Sequence, residues 1–416
     1  MWRAAAGLLA IALVLTGCTR YEPSGEMTRA FRTETEAGSG TDGENPADRA
    51  PESGEAAEES SGSEEGEEIV LSSYPQRTPV KVKGIYVSAF VAGTEEMMDR
   101  IIEQIDETEL NSVVIDFKDD QGRITCQVDT PFINEISACR ILINDMPALM
   151  RKLKEHDIYP IARIVAFRDP YLAEQKPEWS LHVADGSIYR DKQGVAWVNP
   201  YKKEVWEYLV EVGKKAGELG FREIQFDYIR FAVDRTMKNV VFDEADTLGR
   251  DKTQVIGEFI EYAYEELARE GLFVSADVFG TIIRSSQDAA SVGQDYGKMA
   301  EQLDYICPMI YPSHYGPGSF GIDSPDTQPY ETILNALQGS GELLAESASE
   351  DGRQAVVRPW LQDFTASYLK EYIDYGDEQV RQQIQAVYDA GYEEWILWDA
   401  GVSYHYGGLE PGESRQ

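Results

Sequence analysis

Basic side chains are scarce in this chain, which has 38 lysines and arginines against 74 aspartates and glutamates in 416 residues. The formal net charge of −36 argues against a nucleic-acid partner, because phosphate binding requires basic patches. It also argues against direct electrostatic docking on anionic lipid. Neutral glycans and basic ligands remain open as partners.

Cysteine is also rare, with four in the whole chain. Cys18 belongs to an N-terminal signal described below, and the three that remain cannot all pair within one chain. Cys126 and Cys139 are close enough in sequence to pair, but we expect free thiols. No spacing of cysteine and histidine indicates zinc, and we expect neither a metal nor an organic cofactor.

Long hydrophobic runs are missing as well. The apolar run over residues 4–14 is too short to span a bilayer comfortably. It ends at Leu15-Thr16-Gly17-Cys18, which is typical of a bacterial lipobox whose cysteine is lipidated. We predict a lipoprotein signal peptide over residues 1–18 and a protein held outside the cytoplasmic membrane by the lipid alone. An ordinary secretory signal is the alternative.

After Phe31, large apolar side chains are almost absent up to about residue 73, where Glu, Ser, Gly and Ala dominate. Such a segment cannot bury enough surface to offset the entropy lost on ordering. We therefore predict a disordered acidic tether over residues 19–79, one globular domain over 80–407 and a tail over 408–416.

From residue 80 onward, short β-rich runs alternate with amphipathic helical stretches. The strand candidates are residues 83–90, 112–118, 159–167, 223–231, 273–279, 305–311, 356–364 and 394–399. The helical candidates are residues 95–108, 147–156, 203–219, 253–270, 296–302 and 378–390. Gly220, Gly271 and Gly391 follow three of the helices, where a C-cap requires positive φ. This order predicts an α/β fold, a (β/α)8 TIM barrel. An open doubly wound sheet is the alternative, weakened because no G-x-G-x-x-G follows the first strand.

Alternation along a barrel strand sends every second side chain into the interior, and functional groups lie at the carboxyl ends of the strands. On the fourth strand this puts Asp227 inside and Tyr228 against the helices; on the fifth it puts Asp277 inside. The same reasoning, extended to aromatic residues of the long loops, gives a wider set of candidate ligand-binding residues: Asp116, Lys118, Arg163, Trp197, Arg230, Tyr311, His314, Arg358, Trp360, Gln362 and Asp399.

This is more charge than a structural core carries, since a buried carboxylate is costly unless it is paired. A functional site explains the charge. The alternative is that Asp116 with Lys118, and Asp227 with Arg230, are satisfied ion pairs at the barrel rim. The long connection over residues 170–200 carries aromatic rings that suit sugar stacking or, alternatively, pack over the top of the barrel.

Five motifs in fixed order resemble a known family: NPY at 199–201, QFDYIRF at 225–231, SADVFG at 275–280, PMIYPSHY at 308–315 and RPWLQDF at 358–364. They are similar to the bacterial putative glycoside hydrolase domain family, exported barrel proteins distantly like α-amylase and α-galactosidase types. The similarity spans residues 80–407. It implies that Asp227, at the end of the fourth strand, is a nucleophile. The amylase type has a Glu as acid/base on the fifth strand, where this chain has Asp277.

We interpret the domain as a glycosidase of extracellular or cell-wall polysaccharide, with Asp227 as nucleophile, Asp277 as acid/base and retention of configuration. Arg230 or Arg163 would supply the opposite charge beside Asp227. The acid could instead be Asp116, Asp363 or Asp399. Competing hypotheses are a non-catalytic glycan-binding or cell-envelope scaffold barrel, and another hydrolytic chemistry on cell-wall polymer. We expect a monomer whose partner is carbohydrate.

Overall fold

The computed structural model describes residues 74–347 and 354–412. Its centre is a sheet of eight parallel strands. They are β1 (Lys83–Val87), β2 (Ser112–Lys118), β3 (Tyr159–Val165), β4 (Glu223–Asp227), β5 (Phe273–Phe279), β6 (Tyr305–Met309), β7 in two pieces (Val356–Val357 and Trp360–Gln362) and β8 (Trp395–Trp398). Pro359 separates the two pieces of β7, because proline has no N–H for the ladder.

The sheet closes on itself. Each strand pairs in parallel with the next one along the chain, and β8 pairs back onto β1, with Gly84 opposite Ile396. Both pieces of β7 pair with β6, the second through Trp360 opposite Met309. This closure confirms the barrel and excludes the open doubly wound sheet.

Helices cover the outside of the barrel. They include α1 (Glu95–Glu107), α2 (Met146–Glu155), α3 (Lys203–Leu219), α4 (Lys252–Arg269), α5 (Tyr296–Gln302), α6 (Pro329–Ser347) and α7 (Asp377–Asp389). Gly220, Gly271 and Gly391 have φ of 114°, 77° and 87°, which confirms the predicted left-handed positions after α3, α4 and α7. None of the helices within these ranges is long and apolar enough to cross a membrane.

Helix α6 was not among the predicted helices. Its sequence contains Gly339-Ser340-Gly341, and glycine lowers helix propensity. Packing explains Gly339, because a Cβ there would come within 2.5 Å of the Arg284 guanidinium. After β8, the part of the chain that is described forms no long helix. Instead, Gly408 packs against α7, and the Gly412 N–H donates to the carbonyl of Glu107 at the end of α1.

The ordered domain begins earlier than residue 80. Tyr74 packs edge-on against Tyr264 of α4, and Arg77 forms an ion pair of 2.6 Å with Asp304. The contacts of Gly408 and Gly412 likewise extend the domain past residue 407. The predicted lipobox at Cys18 and the tether up to residue 73 lie outside the described residues.

Two hydrophobic cores hold the barrel. The larger one lies between strands and helices, and a smaller one fills the barrel interior with residues such as Tyr159, Phe273 and Trp360. Cys126, Cys139 and Cys307 are free thiols, as expected. Burial raises the pKa of the Cys126 thiol to about 12, so this thiol is unreactive at neutral pH.

Arg358 faces the interior as predicted, but at the wrong end of the barrel for binding a substrate. It is fully buried and donates to Glu223, at the start of β4, and to Glu394, just before β8, both at 2.8 Å. Its guanidinium also stacks on Tyr305 at 3.8 Å. The prediction that Arg358 binds ligand at the barrel mouth is therefore wrong. Arg358, Glu223 and Glu394 form an ionic triad at the amino end of the strands.

Replacing Arg358 with Met should destabilise the fold by about 3–5 kcal/mol, because two buried glutamates lose their cation. Urea unfolding measures the loss. Arg100→Met, which removes an exposed pair with Glu96, is the control and should cost about 0–1 kcal/mol. Replacing Glu223 and Glu394 with Gln in the Arg358→Met background should recover much of the stability. A loss for Arg358→Met no larger than that of the control would contradict the triad.

Candidate active site

A cluster of carboxylates surrounds Arg163 at the carboxyl end of β2, β3 and β4. The Arg163 guanidinium donates to Asp116 Oδ1 at 2.6 Å and, through Nη2 and Nε, to Asp227 Oδ2 at 2.6 and 3.0 Å. Asp120 Oδ2 lies 3.3 Å from the same cation. One arginine thus orients three carboxylates, and both predicted interior carboxylates of β2 and β4 are in this cluster.

The chain bends sharply at the end of β4. Tyr228 has φ of 51°, a left-handed conformation that costs a non-glycine residue energy and often marks a functional site. Its N–H donates to Asp227 Oδ1 at 2.5 Å. Strand alternation therefore ends at Asp227, and the prediction that Tyr228 faces the helices is wrong: its ring lies 5.1 Å from the Arg168 guanidinium and 4.9 Å from that of Arg230.

Asp116 is buried between a cation and a phenol. Tyr86 donates its hydroxyl to Asp116 Oδ2 at 2.6 Å, and Arg163 donates to the other oxygen, Oδ1. Burial raises the pKa of Asp116 to about 6, against the opposing effect of the Arg163 charge. A carboxyl with this pKa is able to exchange a proton in mildly acidic solution.

Asp277 has a different environment. It is 2% exposed and accepts a hydrogen bond of 2.6 Å from the indole N–H of Trp360. Within the described ranges, no cation forms an ion pair with it. Burial first, and then the charge of Asp227, raise the pKa of Asp277 well above its ordinary value. Both causes favour the protonated form of this carboxyl.

The register places Asp227 and Asp277 side by side. Phe226 of β4 is opposite Ala276 of β5, so the next residue on each strand is an inward-facing aspartate. Trp360 and Trp398 pack edge to face at 5.6 Å, and Trp398 lies 4.3 Å from Tyr86. Aromatic rings thus line the interior between Asp277 and Asp116.

Arg230 and Trp197 lie beside this cluster, but not in the predicted way. The Arg230 guanidinium is stacked near Phe279, Tyr228 and Trp197 at 4.5, 4.9 and 5.2 Å. No ion pair joins it to Asp227 among the described residues, so Arg163 is the cation that pairs with this carboxylate. Trp197 is buried and donates to Asp191 at 3.0 Å. It therefore packs against Arg230 and is not an exposed ring on which a sugar could stack.

Two predicted ligand-binding residues, Lys118 and Gln362, are fully buried and are not available to a ligand. A register shift between Asp116 and Lys118 interrupts the alternation, and Lys118 is fully buried against Asp169 at 2.7 Å. The predicted Asp116–Lys118 pair is therefore absent. Gln362 faces inward but is also fully buried. Its Oε1 accepts from Ser313 N–H at 3.1 Å, and its Nε2 donates to Asp326 Oδ1 and to the carbonyl of Phe364, both at 3.0 Å.

The remaining predicted residues lie on the connections after β6, β7 and β8. Tyr311 is buried, with its ring 5.0 Å from that of His314. The protein atoms packed around His314 lower its pKa to about 4, although part of the residue is exposed. A neutral imidazole is therefore available for hydrogen bonds above that pH. Asp399 is partly exposed, and its Oδ1 accepts from Ser403 N. Asp363 is tied to His405 at 2.5 Å, a pairing that the sequence did not reveal.

Exposed aromatic residues also follow the carboxyl ends of β1 and β7: Phe90, Tyr368 and Tyr372. Phe90 lies three residues after β1, and Tyr368 and Tyr372 lie six and ten residues after β7. These are the connections on which barrel proteins carry functional groups, and that position is the sequence signal for them. Within the described part of the chain, no three carboxyl, imidazole or thiol groups are arranged to hold a metal ion.

The fold and the site define the class: a (β/α)8-barrel protein with paired carboxyls at the carboxyl end of its strands. Residues 84–404 match the model of the family described as putative glycosyl hydrolase domain, and the chain belongs to that family. No curated protein matches the sequence.

Solved structures with a similar fold include glycosidases. The PgaB (BpsB) glycoside hydrolase domain from Bordetella bronchiseptica is 12% identical, covers 77% of this chain and 94% of its own, and has a TM-score of 0.51. A hypothetical protein from Ruminiclostridium thermocellum is 36% identical over 47% of this chain and 97% of its own, with a TM-score of 0.43. The α-galactosidase TtGalA from Thermus thermophilus is 11% identical over 79% and 60%, with a TM-score of 0.46. The first of these is evidence for the barrel fold alone.

Proposed function

We propose that this protein is a glycoside hydrolase of extracellular or cell-wall polysaccharide, and that it uses Asp227 and Asp277 as its two carboxyls. The observation that carries the proposal is the contrast between these neighbours. Asp227 is hydrogen-bonded to the Arg163 cation, whereas Asp277 is buried against a neutral indole. Glycoside hydrolysis requires such a difference, one carboxylate and one carboxylic acid.

In the first step, Asp277 donates its proton to the glycosidic oxygen while an oxygen of Asp227 attacks the anomeric carbon. The aglycone leaves with the proton, and the sugar remains esterified to Asp227. Asp277, now ionised, then takes a proton from water, which displaces Asp227. Adjacent strands lie about 4.8 Å apart, which suits the roughly 5–5.5 Å carboxyl separation of retaining enzymes.

A glycan panel tests the activity. The full-length protein in detergent is incubated with cell-wall and exopolysaccharide fractions, and the anomeric configuration of new reducing ends is followed by NMR. The proposal expects release of sugar whose first-formed anomer matches that of the substrate linkage. First formation of the opposite anomer would contradict retention, and failure to cleave any glycan that binds would favour a binding protein.

A non-catalytic glycan-binding barrel is the second candidate. It is favoured by the fact that Asp227 and Asp116 are both satisfied by Arg163, as in a purely structural ion pair. Such a protein would bind glycans equally well after both aspartates are replaced, and the panel would yield no product with any variant.

We also propose that Cys18 is lipidated and that the acidic segment after it separates the barrel from the membrane. Cys18→Ala should move the protein from the membrane fraction to the soluble exported fraction, since a lipid anchor binds through buried CH₂ groups at about 0.8 kcal/mol each. Immunoblotting of cell fractions measures the change. Unchanged membrane association of the variant would refute the anchor.

A further inference from the structure

Arg230 differs from the other buried arginines near the barrel interior. Arg163 is paired with three carboxylates, and Arg358 with two glutamates. Arg168 has Asp120 at 3.5 Å and Asp191 at 3.7 Å. Arg230 is 5% exposed, yet within residues 74–347 and 354–412 no carboxylate forms an ion pair with it.

The surroundings of Arg230 are aromatic. Among the described residues, its one hydrogen bond goes from Nη1 to the carbonyl of Phe231 at 3.0 Å. The other two guanidinium nitrogens are not fully enclosed by protein. Rings of Phe279, Tyr228 and Trp197 cover the flat cation. Burying a guanidinium without an anion is costly, so a site that keeps one open at its N–H edge is prepared for an incoming anion.

The position of Arg230 relates that anion to the reaction. Arg230 is three residues beyond Asp227, so their Cα atoms are at most about 11 Å apart. Asp227 forms no ion pair with Arg230 among the described residues; its oxygens accept from Arg163 and from the Tyr228 N–H instead. A group on the bound sugar or on its immediate neighbour is within reach.

We infer that Arg230 binds a carboxylate carried by the substrate, so that the glycan is an acidic one containing a uronic acid or a similar carboxylated sugar. The location relative to the cleaved bond rests on the proposed function. A carboxylate fits this site because the rings leave the planar N–H edge of the guanidinium free, and that edge can bind a carboxylate through two parallel hydrogen bonds. Most of the net charge of −36 lies farther away than about 8 Å and is screened at physiological salt. The nearer carboxylates, Asp227 and Asp191, lie beside Arg163 and Arg168.

The test follows the Arg230 Nε–Hε NMR signal in full-length protein labelled with ¹⁵N-arginine, assigned by its loss in Arg230→Lys. Sodium glucuronate, glucose and inorganic phosphate are titrated separately. Glucuronate should shift the signal saturably and bind at least about 30-fold more tightly than glucose. Arg230→Met should weaken glucuronate binding by a similar factor and leave glucose unchanged, with binding followed by saturation-transfer NMR. Arg190→Met, at an exposed arginine paired with Glu174, should change neither.

Equal affinities for glucuronate and glucose, or a response to phosphate alone, would overturn the inference. The inference would also be overturned if Arg230→Met weakened the binding of glucuronate and glucose equally and Arg230→Lys, which keeps the charge and the fold, bound glucuronate no better than Arg230→Met. Because the titration measures binding and not turnover, the two proposals fail separately. A barrel that cleaves no glycan can still bind glucuronate through Arg230, and an Arg230 that binds no anion leaves the carboxyl mechanism open.

Discussion

Asp227→Asn should lower kcat by at least about 10³-fold while the barrel remains folded. The amide keeps the shape of the side chain but cannot form the covalent bond to the sugar, and removing a nucleophile costs up to about 10⁶-fold in a well-studied hydrolase. Folding survives because Asp116 and Asp120 still face Arg163. Stability should fall modestly, by about 1–3 kcal/mol, since the amide cannot accept from both Arg163 and the Tyr228 N–H.

Two further variants separate chemistry from structure. Asp120→Asn makes the same change beside the same arginine, at a carboxylate that is more exposed and 3.3 Å away, and should keep kcat within about tenfold of the parent. Asp227→Ala opens space for an external anion, and azide should restore turnover to it with formation of a glycosyl azide. Near-parental activity of Asp227→Asn on a confirmed substrate, or an equal loss in Asp120→Asn, would refute the nucleophile assignment.

The interior position of the candidate carboxyls could be predicted from the sequence because the period of a paired strand is fixed at two. Asp116, Arg163, Asp227 and Asp277 all face inward, as alternation requires, and each is followed by the end of its strand within a few residues. Which residues lie opposite each other on neighbouring strands, such as Phe226 and Ala276, was known only from the closed barrel. Helical periodicity and glycine C-caps were equally local signals, and they located every described helix of ten residues or more except α6.

The failures arise where periodicity stops or where depth matters. The irregularity in β2 turned Lys118 outward, and positive φ turned Tyr228 into the mouth. Parity places a side chain inside the barrel but does not say at which end, so Arg358 and Gln362 were grouped with the active site although one lies at the opposite end and the other beneath a loop. Pro359 between them was the visible sign that β7 is not one continuous strand.

Partner choice was the other limit. The strand pattern places both Arg163 and Arg230 close to Asp227, and it did not show which of the two arginines pairs with this carboxylate. The backbone bend at Tyr228 explains the pairing. After the bend, the Arg230 guanidinium packs against the rings of Phe279 and Trp197, and Arg163, on the adjacent strand, forms the ion pair with Asp227. Such long-range choices depend on backbone geometry that residue types do not encode locally.

Asp277→Asn should lower kcat/KM about 10²–10⁴-fold for natural linkages, because the leaving oxygen loses its proton donor. Aryl glycosides with acidic leaving groups, such as dinitrophenolate, should be affected far less, since they depart without a proton. The parent enzyme should lose activity on natural linkages as pH rises through the raised pKa of Asp277, and this basic limb should vanish in the variant. Asp116 is the competing acid. If it donated the proton, activity would fall near pH 6, because its pKa is about 6, and this fall would be absent in Asp116→Asn.

Stability gives an independent reading of the same carboxyl. Because burial raises its pKa, Asp277 is more easily protonated in the folded state than in the unfolded one. Its contribution to stability is therefore complete below the unfolded pKa of about 3.9 and is lost as pH rises towards the folded value. Asp277→Asn removes this loss and keeps an acceptor for the Trp360 N–H, so at neutral pH the variant should melt no lower than the parent. A variant that is both less stable at neutral pH and equally impaired on aryl and natural glycosides would show that Asp277 supports the barrel and is not the acid.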